Sequence, residues 1–185
     1  MTTVEASKKV IWQLKGEAPK QITLDELNKR IIKSSELYET KEKRRKESPS
    51  FITENSDLDE EKWANYPQTL FNNFKSEYTT RQYKDFKNIE TIMVSNYGRV
   101  KIDGIIEEQE DQSGKTGYLQ LKKYPGLGMI YQVVAETWLE KPTGNCPDCI
   151  FDVHHITNNG YDNSPENLIW LNRCDHSRID HKIKE

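Results

Sequence analysis

At 185 residues, with 34% hydrophobic and 31% charged side chains and a mean hydropathy of −0.90, the chain allows one ordinary domain, or a small domain with an appendage of exposed helix or linker. A formal net charge of −3 and a pI near 5.9 neither require nor exclude a nucleic-acid partner, so such a protein needs a local basic face or metal ions to meet phosphate. No apolar run approaches the roughly 20 residues of a membrane span, the N-terminus lacks a signal-peptide layout, and three cysteines are too few and too uneven for a disulfide framework, which leads us to expect a soluble, cytoplasmic protein.

In chain order, Thr23-Leu24-Asp25-Glu26 predicts a helix start. Thr23 can cap, and Glu26 stands three residues later as its capping-box partner. Leu24, Leu27, Ile31 and Leu37 fall mostly on one face, and the helix is expected to run to about Glu47, where Ser48-Pro49-Ser50 stops it. Its last stretch, Lys41 to Glu47, is a charge block that could touch DNA phosphates, although such blocks are more often solvated faces. Ser56 to Tyr83 contains a second helical stretch, with Trp63, Tyr66, Leu70, Phe71 and Phe74 at helical spacing, Ser56 or Asp57 as a candidate cap and Pro67 as an irregularity. Aromatics at this density are more often core than a base-stacking platform.

Composition changes near Tyr83. Thr91 to Val100 predicts two short strands around the turn Ser95-Asn96-Tyr97-Gly98, with Gly98 supplying the flexible backbone. Gly117 to Tyr124 alternates as a strand. Met129 to Leu139 reads as a helix ended by Pro142 and Gly144.

All four histidines lie from residue 154 onward. Imidazole both binds transition metals and moves protons near neutral pH, so this clustering points to a metal-dependent site. Phe151 to Ile156 reads as a strand, whose alternation turns His154 and His155 to opposite faces. A bulge or twist must bring both to one cleft. His176 is expected on a short helix beginning near Arg173. Hydrolysis of a phosphodiester needs charge neutralisation at the phosphoryl and leaving oxygens and a base for water, and these residue types supply both.

Val153-His154-His155-Ile156, Asn163-Ser164-Pro165-Glu166-Asn167-Leu168-Ile169-Trp170-Leu171 and His176 resemble the HNH endonuclease motif, the ββα-metal unit. The spacing is specific: Asn167 stands twelve residues and His176 twenty-one residues after His155. The resemblance implies His155 as general base, His154 and His176 as metal ligands, and Asn167 as the residue that pins the hairpin loop and orients the backbone of the base. Upstream, Val94 to Val100 resembles the NUMOD4 module that accompanies HNH domains in phage and intron-encoded nucleases. Gly117-Tyr118-Leu119 and Val133 to Pro142 are similar to the usual bridge between the two. The match spans roughly residues 83 to 181; the first 80 residues resemble nothing.

The implied layout is α+β: a helical N-terminal extension over 1–82, a NUMOD4-like strand-rich module with a bridging helix over 83–142, and an HNH unit over 143–185. The chain departs from the family at its last ligand. His181 lies five residues after His176, while Asp180, four after it, would share its helical face; either completes the shell, with His181 favoured. The implied cofactor is one divalent ion. A histidine-rich shell suits Zn²⁺, Mn²⁺ or Ni²⁺, while Mg²⁺ prefers oxygen and remains a candidate working ion. Cys146-Pro147-Asp148-Cys149 has the gap of a zinc knuckle. Its second pair is missing, so a structural zinc would use Cys146, Cys149 and the out-of-step Cys174, against the plainer reading of a turn with spare thiols.

The function expected is cleavage or nicking of double-stranded DNA by a phage-encoded or homing-type enzyme. Arg99, Lys101, Lys122 and Lys123 are candidate phosphate contacts, and the N-terminal helices a candidate protein-docking element. The alternative is a catalytically inactive HNH scaffold that binds DNA or protein.

Overall fold

The computed structural model describes residues 9–37, 41–78, 88–112, 118–142, 150–177 and 179. Val10 and Trp12 point inward while Ile11 faces solvent, which makes Lys9–Trp12 a strand, β1. It pairs antiparallel with β2, Lys20–Thr23, placing Val10 opposite Ile22. The N-terminal extension, expected to be helical, thus carries a strand pair ahead of its helices. Four residues of period-two alternation are too short a signal to read against the helical pattern that follows.

Helix α1, Leu24–Leu37, starts where predicted. The capping box forms in both directions: Thr23 N–H donates to Glu26 Oε2 at 2.7 Å, and Glu26 N–H donates to Thr23 Oγ1 at 3.2 Å. This satisfies two amides that a helix start leaves open. Leu24 and Leu27 are fully buried. Of the expected continuation to Glu47, Lys41–Lys46 is helical, α2, and residues 38–40 lie outside the described set. Pro49–Phe51 then forms a 3-10 turn.

The helical stretch expected within Ser56 to Tyr83 is present but starts later than the aromatic spacing suggests. Trp63–Asn65 is a strand, β3, and helix α3 begins only at Gln68, running to Tyr78. Proline disfavours the α region for the residue before it, so Tyr66 stays out of the helix, while Pro67 opens a first turn without cost. Its carbonyl accepts from Phe71 N–H at 3.0 Å. Residues 79–83 lie outside the described set.

Strands β4, Ile92–Ser95, and β5, Val100–Ile102, flank the expected turn, with Gly98 at φ 75°. Ile105–Ile106 adds β6, giving the antiparallel order β3-β4-β5-β6. Gln109–Asp111, β7, pairs with Leu119–Leu121, β8, inside the strand read from residue 117.

Helix α4, Ile130–Trp138, buries Ile130, Val133, Val134 and Ala135. It packs against β4, β8, and the strands β9, Phe151–His155, and β10, Leu168–Asn172. It ends before Pro142 because Leu139 is drawn into extended backbone beside Leu14. Lys15 N–H donates to the Trp138 carbonyl at 2.8 Å, and Glu140 N–H to the Gln13 carbonyl at 2.9 Å.

β9 and β10 form an antiparallel pair with His155 opposite Leu168 and His154 opposite Ile169. Helix α5, Arg173–His176, closes on both strands. One hydrophobic cluster runs from Val10 and Leu24 through Val94 and Val134 to Ile169 and Ile179. The chain is mixed α and β, built of small antiparallel sheets and few helices. Among the described residues no helix is long and apolar enough to cross a membrane.

Candidate functional site

Alternation along β9 places Asp152 and His154 toward α5, and Phe151, Val153 and His155 toward the other face. α5 is set at its start by Asn172, whose side chain accepts from Cys174 N–H at 2.8 Å. Arg173 then reaches back to Asp152 with two bonds, Nε to Oδ2 at 3.1 Å and Nη2 to Oδ1 at 3.0 Å. That guanidinium, chiefly through its hydrogen bond, holds the Asp152 carboxyl below its usual range. The fork fixes α5 so that His176 comes to Asp152, Nδ1 to Oδ2 at 3.7 Å. The His154 and His176 rings meet edge to face, centroids 5.2 Å apart.

On the other face His155 packs among aromatics. Tyr118 lies nearly parallel to it with centroids 6.0 Å apart, and Tyr131 meets it edge-on at 5.2 Å. Its Nε2 lies 3.1 Å from Asn163 Oδ1. Burial pushes the imidazole below its ordinary value, against the opposing pull of the Asn163 bond and the Asp162 charge. A neutral ring is the form that accepts a proton.

The loop after His155 is tied at one residue. Asn167 gives its carbonyl to Ile156 N–H at 2.7 Å and its Oδ1 to Thr157 N–H at 2.9 Å. Its Nδ2 donates to the Asp162 carbonyl at 2.7 Å. These three bonds span the loop, and each goes to backbone rather than to the imidazole. Asn158, at φ 55°, makes the tight exit from the strand.

His154 and His155 point to opposite faces, yet both line a single cleft of 510 Å³ along β9, together with Tyr118, Tyr131, Asp152 and His176. Among the described residues no group of three or more His, Cys, Asp or Glu side chains is arranged to hold a metal. The His154 and His176 pair fits as a two-imidazole donor set, and the third expected ligand, His181, lies outside the described residues with Asp180.

The expected phosphate contacts fare differently. Arg99 is a correction: its side chain is fully buried, paired with Glu61 at 2.9 Å, and donates to the carbonyls of Glu54 at 2.7 Å and Ser56 at 3.2 Å. Both terminal nitrogens of the guanidinium are committed to the loop from Glu54 to Glu61, which covers the side chain. Lys101 is committed to Asp57 at 2.8 Å and sits 3.8 Å over the Trp63 ring. Lys122 faces solvent in a pair with Glu108 at 3.2 Å, and Lys123 lies 4.9 Å over Tyr124. Cys174 is an exposed free thiol, and Cys146 and Cys149 lie outside the described residues.

Sequence reasoning missed Asn163, Tyr118, Tyr131, Asp152 and Arg173 as site residues. Asn163 lies inside the segment that resembles the HNH motif and Asp152 two residues before His154; only the fold brings Tyr118 and Tyr131 to His155. No family model, curated protein or solved structure matches the chain.

Proposed function

We propose that the protein is a metal-dependent endonuclease that hydrolyses phosphodiester bonds in DNA, its C-terminal part working as an HNH unit. What supports the reading is one arrangement: a hairpin and short helix that bring His154, His155 and His176 to a single cleft from three different positions. His154 and His176 would hold the ion, which when bound supplies charge stabilisation for the phosphoryl and leaving oxygens. His155 takes the proton of the attacking water. Its burial keeps it neutral, and Tyr118 and Tyr131 screen it from bulk solvent. Asp152, through Arg173, holds α5 in the position that gives His176 to the cleft.

The β4–β5 hairpin with its Ser95–Gly98 turn is the part similar to NUMOD4, and we read it as a brace for the nuclease loop. With Arg99 buried and Lys101 paired with Asp57, the cations we read as meeting DNA are Arg45 and Lys46 of α2, which face solvent. The end of α2 is attached to the catalytic loop, since Ser48 Oγ donates to the Tyr161 carbonyl.

Supercoiled plasmid offered with Mn²⁺, Mg²⁺, Zn²⁺ or Ni²⁺ tests the reading. The wild type should convert it to nicked or linear form in at least one metal, and His155→Ala should be slower by about 10²–10⁴-fold. Wild type and His155→Ala equally inert on every DNA and metal offered would leave only a binding scaffold.

A further inference from the structure

His155 is held through one ring nitrogen. The Oδ1 of Asn163 can only accept a hydrogen bond, so at 3.1 Å the His155 Nε2 must carry the proton and Nδ1 the lone pair. Asn163 is 1% exposed, and its Nδ2 has no hydrogen-bond partner among the described residues. A buried amide left unpaired destabilises a fold. A leucine would fill the same space without that cost. Among the described residues, this side chain's hydrogen-bond partner is the imidazole.

The seat of Asn163 is also built. A Cβ on Gly98 would lie 2.7 Å from Asn163 Cβ, 3.1 Å from Ser50 Oγ and 3.3 Å from the Asn163 carbonyl oxygen. Gly98 is itself held, its carbonyl accepting from Gln109 Nε2 at 2.7 Å. So the β4–β5 turn presses directly on the residue that holds the base. Asn167, the residue read from the sequence as pinning the hairpin loop, bonds loop backbone, and the imidazole contact belongs to Asn163.

We propose that Asn163 is the positioning residue that sets the tautomer and aim of His155, and that the turn at Gly98 seats Asn163 for this task. The catalytic half of the proposal rests on the nuclease reading; the tautomer does not. A histidine ring held by a fixed acceptor presents one defined nitrogen to a reacting proton.

Nitrogen-15 NMR of the full chain in chelator reads the tautomer directly. His155 Nε2 should show a pyrrole-type shift and Nδ1 a pyridine-type shift. Asn163→Asp keeps an acceptor and should keep the pattern, whereas Asn163→Leu should give a mixture of tautomers. Gly98→Ala should disturb the pattern. Gly104→Ala should not, because Gly104 has a similar φ of 82° but nothing within 4 Å of an added Cβ. In DNA cleavage, Asn163→Leu should lower kcat about 10–100-fold with KM unchanged, and Asn163→Asp should restore part of the activity. A pyridine-type Nε2 in the wild type overturns the proposal, even if Asn163→Leu does not fold. So does an unchanged pattern in Asn163→Leu. If the NMR result holds and the wild type cuts no DNA, the nuclease reading fails and the tautomer assignment stands.

Discussion

A histidine in apolar surroundings is a liability at acid pH. At His155 the liability is built into the site: Tyr118 and Tyr131 cover the ring, and burial lowers its affinity for a proton. The unfolded chain binds that proton at about pH 6.5 and the folded chain only at a lower pH. Between those two values the unfolded state holds more protons, so stability rises with pH there. The contribution is complete above about pH 6.5 and is lost as pH falls through the lowered folded value. His155→Phe removes the titration while its cost, the Asn163 acceptor left without a donor, does not vary with pH. Denaturant midpoints of wild type and His155→Phe in chelator should therefore converge as pH is lowered from 7.5 to 5. A gap that stays constant would show the ring to be solvated. The paired histidines are legible in the sequence, as is the strand alternation that separates their faces. Their aromatic cover is not: Tyr118 follows β7 and Tyr131 sits in α4, and only long-range packing brings them to residue 155.

Among the elements, α2 carries its charge where the loop after β9 is anchored. Ser48 bonds the Tyr161 carbonyl, Phe51 packs 6.0 Å from the Tyr161 ring, and Arg45 lies 5.0 Å over Phe51. A duplex engaged at the cleft would meet this helix through its phosphates, an encounter that releases counterions. Arg45→Gln with Lys46→Gln should weaken binding to DNA of any sequence and make log K less steep against log salt, by about 0.9 for each phosphate no longer neutralised. Fluorescence anisotropy across a salt series reads this, and an unchanged slope would place DNA elsewhere. Elements with local signals are readable in advance: the capping box of α1, the Gly98 turn, and α5 after Asn172. Trp63 misleads because its spacing to Tyr66 and Leu70 satisfies a helix, while its real partner, Ser95 on β4, is invisible to periodicity. Arg99 misleads for a related reason, since its burial depends on a loop from Glu54 to Glu61 that carries no pattern of its own.

For the molecule as a whole, the N-terminal hairpin bears on the site through β10. Trp12 is buried, and its Nε1 donates to the Leu168 carbonyl at 2.8 Å. Leu168 is the residue paired opposite His155. Two further backbone bonds, Lys15 to Trp138 and Glu140 to Gln13, tie the same segment to the end of α4. A small ββα unit has little core of its own, so these contacts are part of what holds its strands in register. Trp12→Phe keeps most of the buried ring and takes the indole donor from the Leu168 carbonyl, which should cost about 1–3 kcal/mol. Trp12→Ala also opens a cavity and should cost about 3–5 kcal/mol. Chemical denaturation measures both. If the hairpin were a detachable appendage, a chain beginning at residue 18 would unfold at the wild-type midpoint. The contacts to β10 and α4 instead require that it unfold earlier, and that exchange protection in β9 and β10 fall with it.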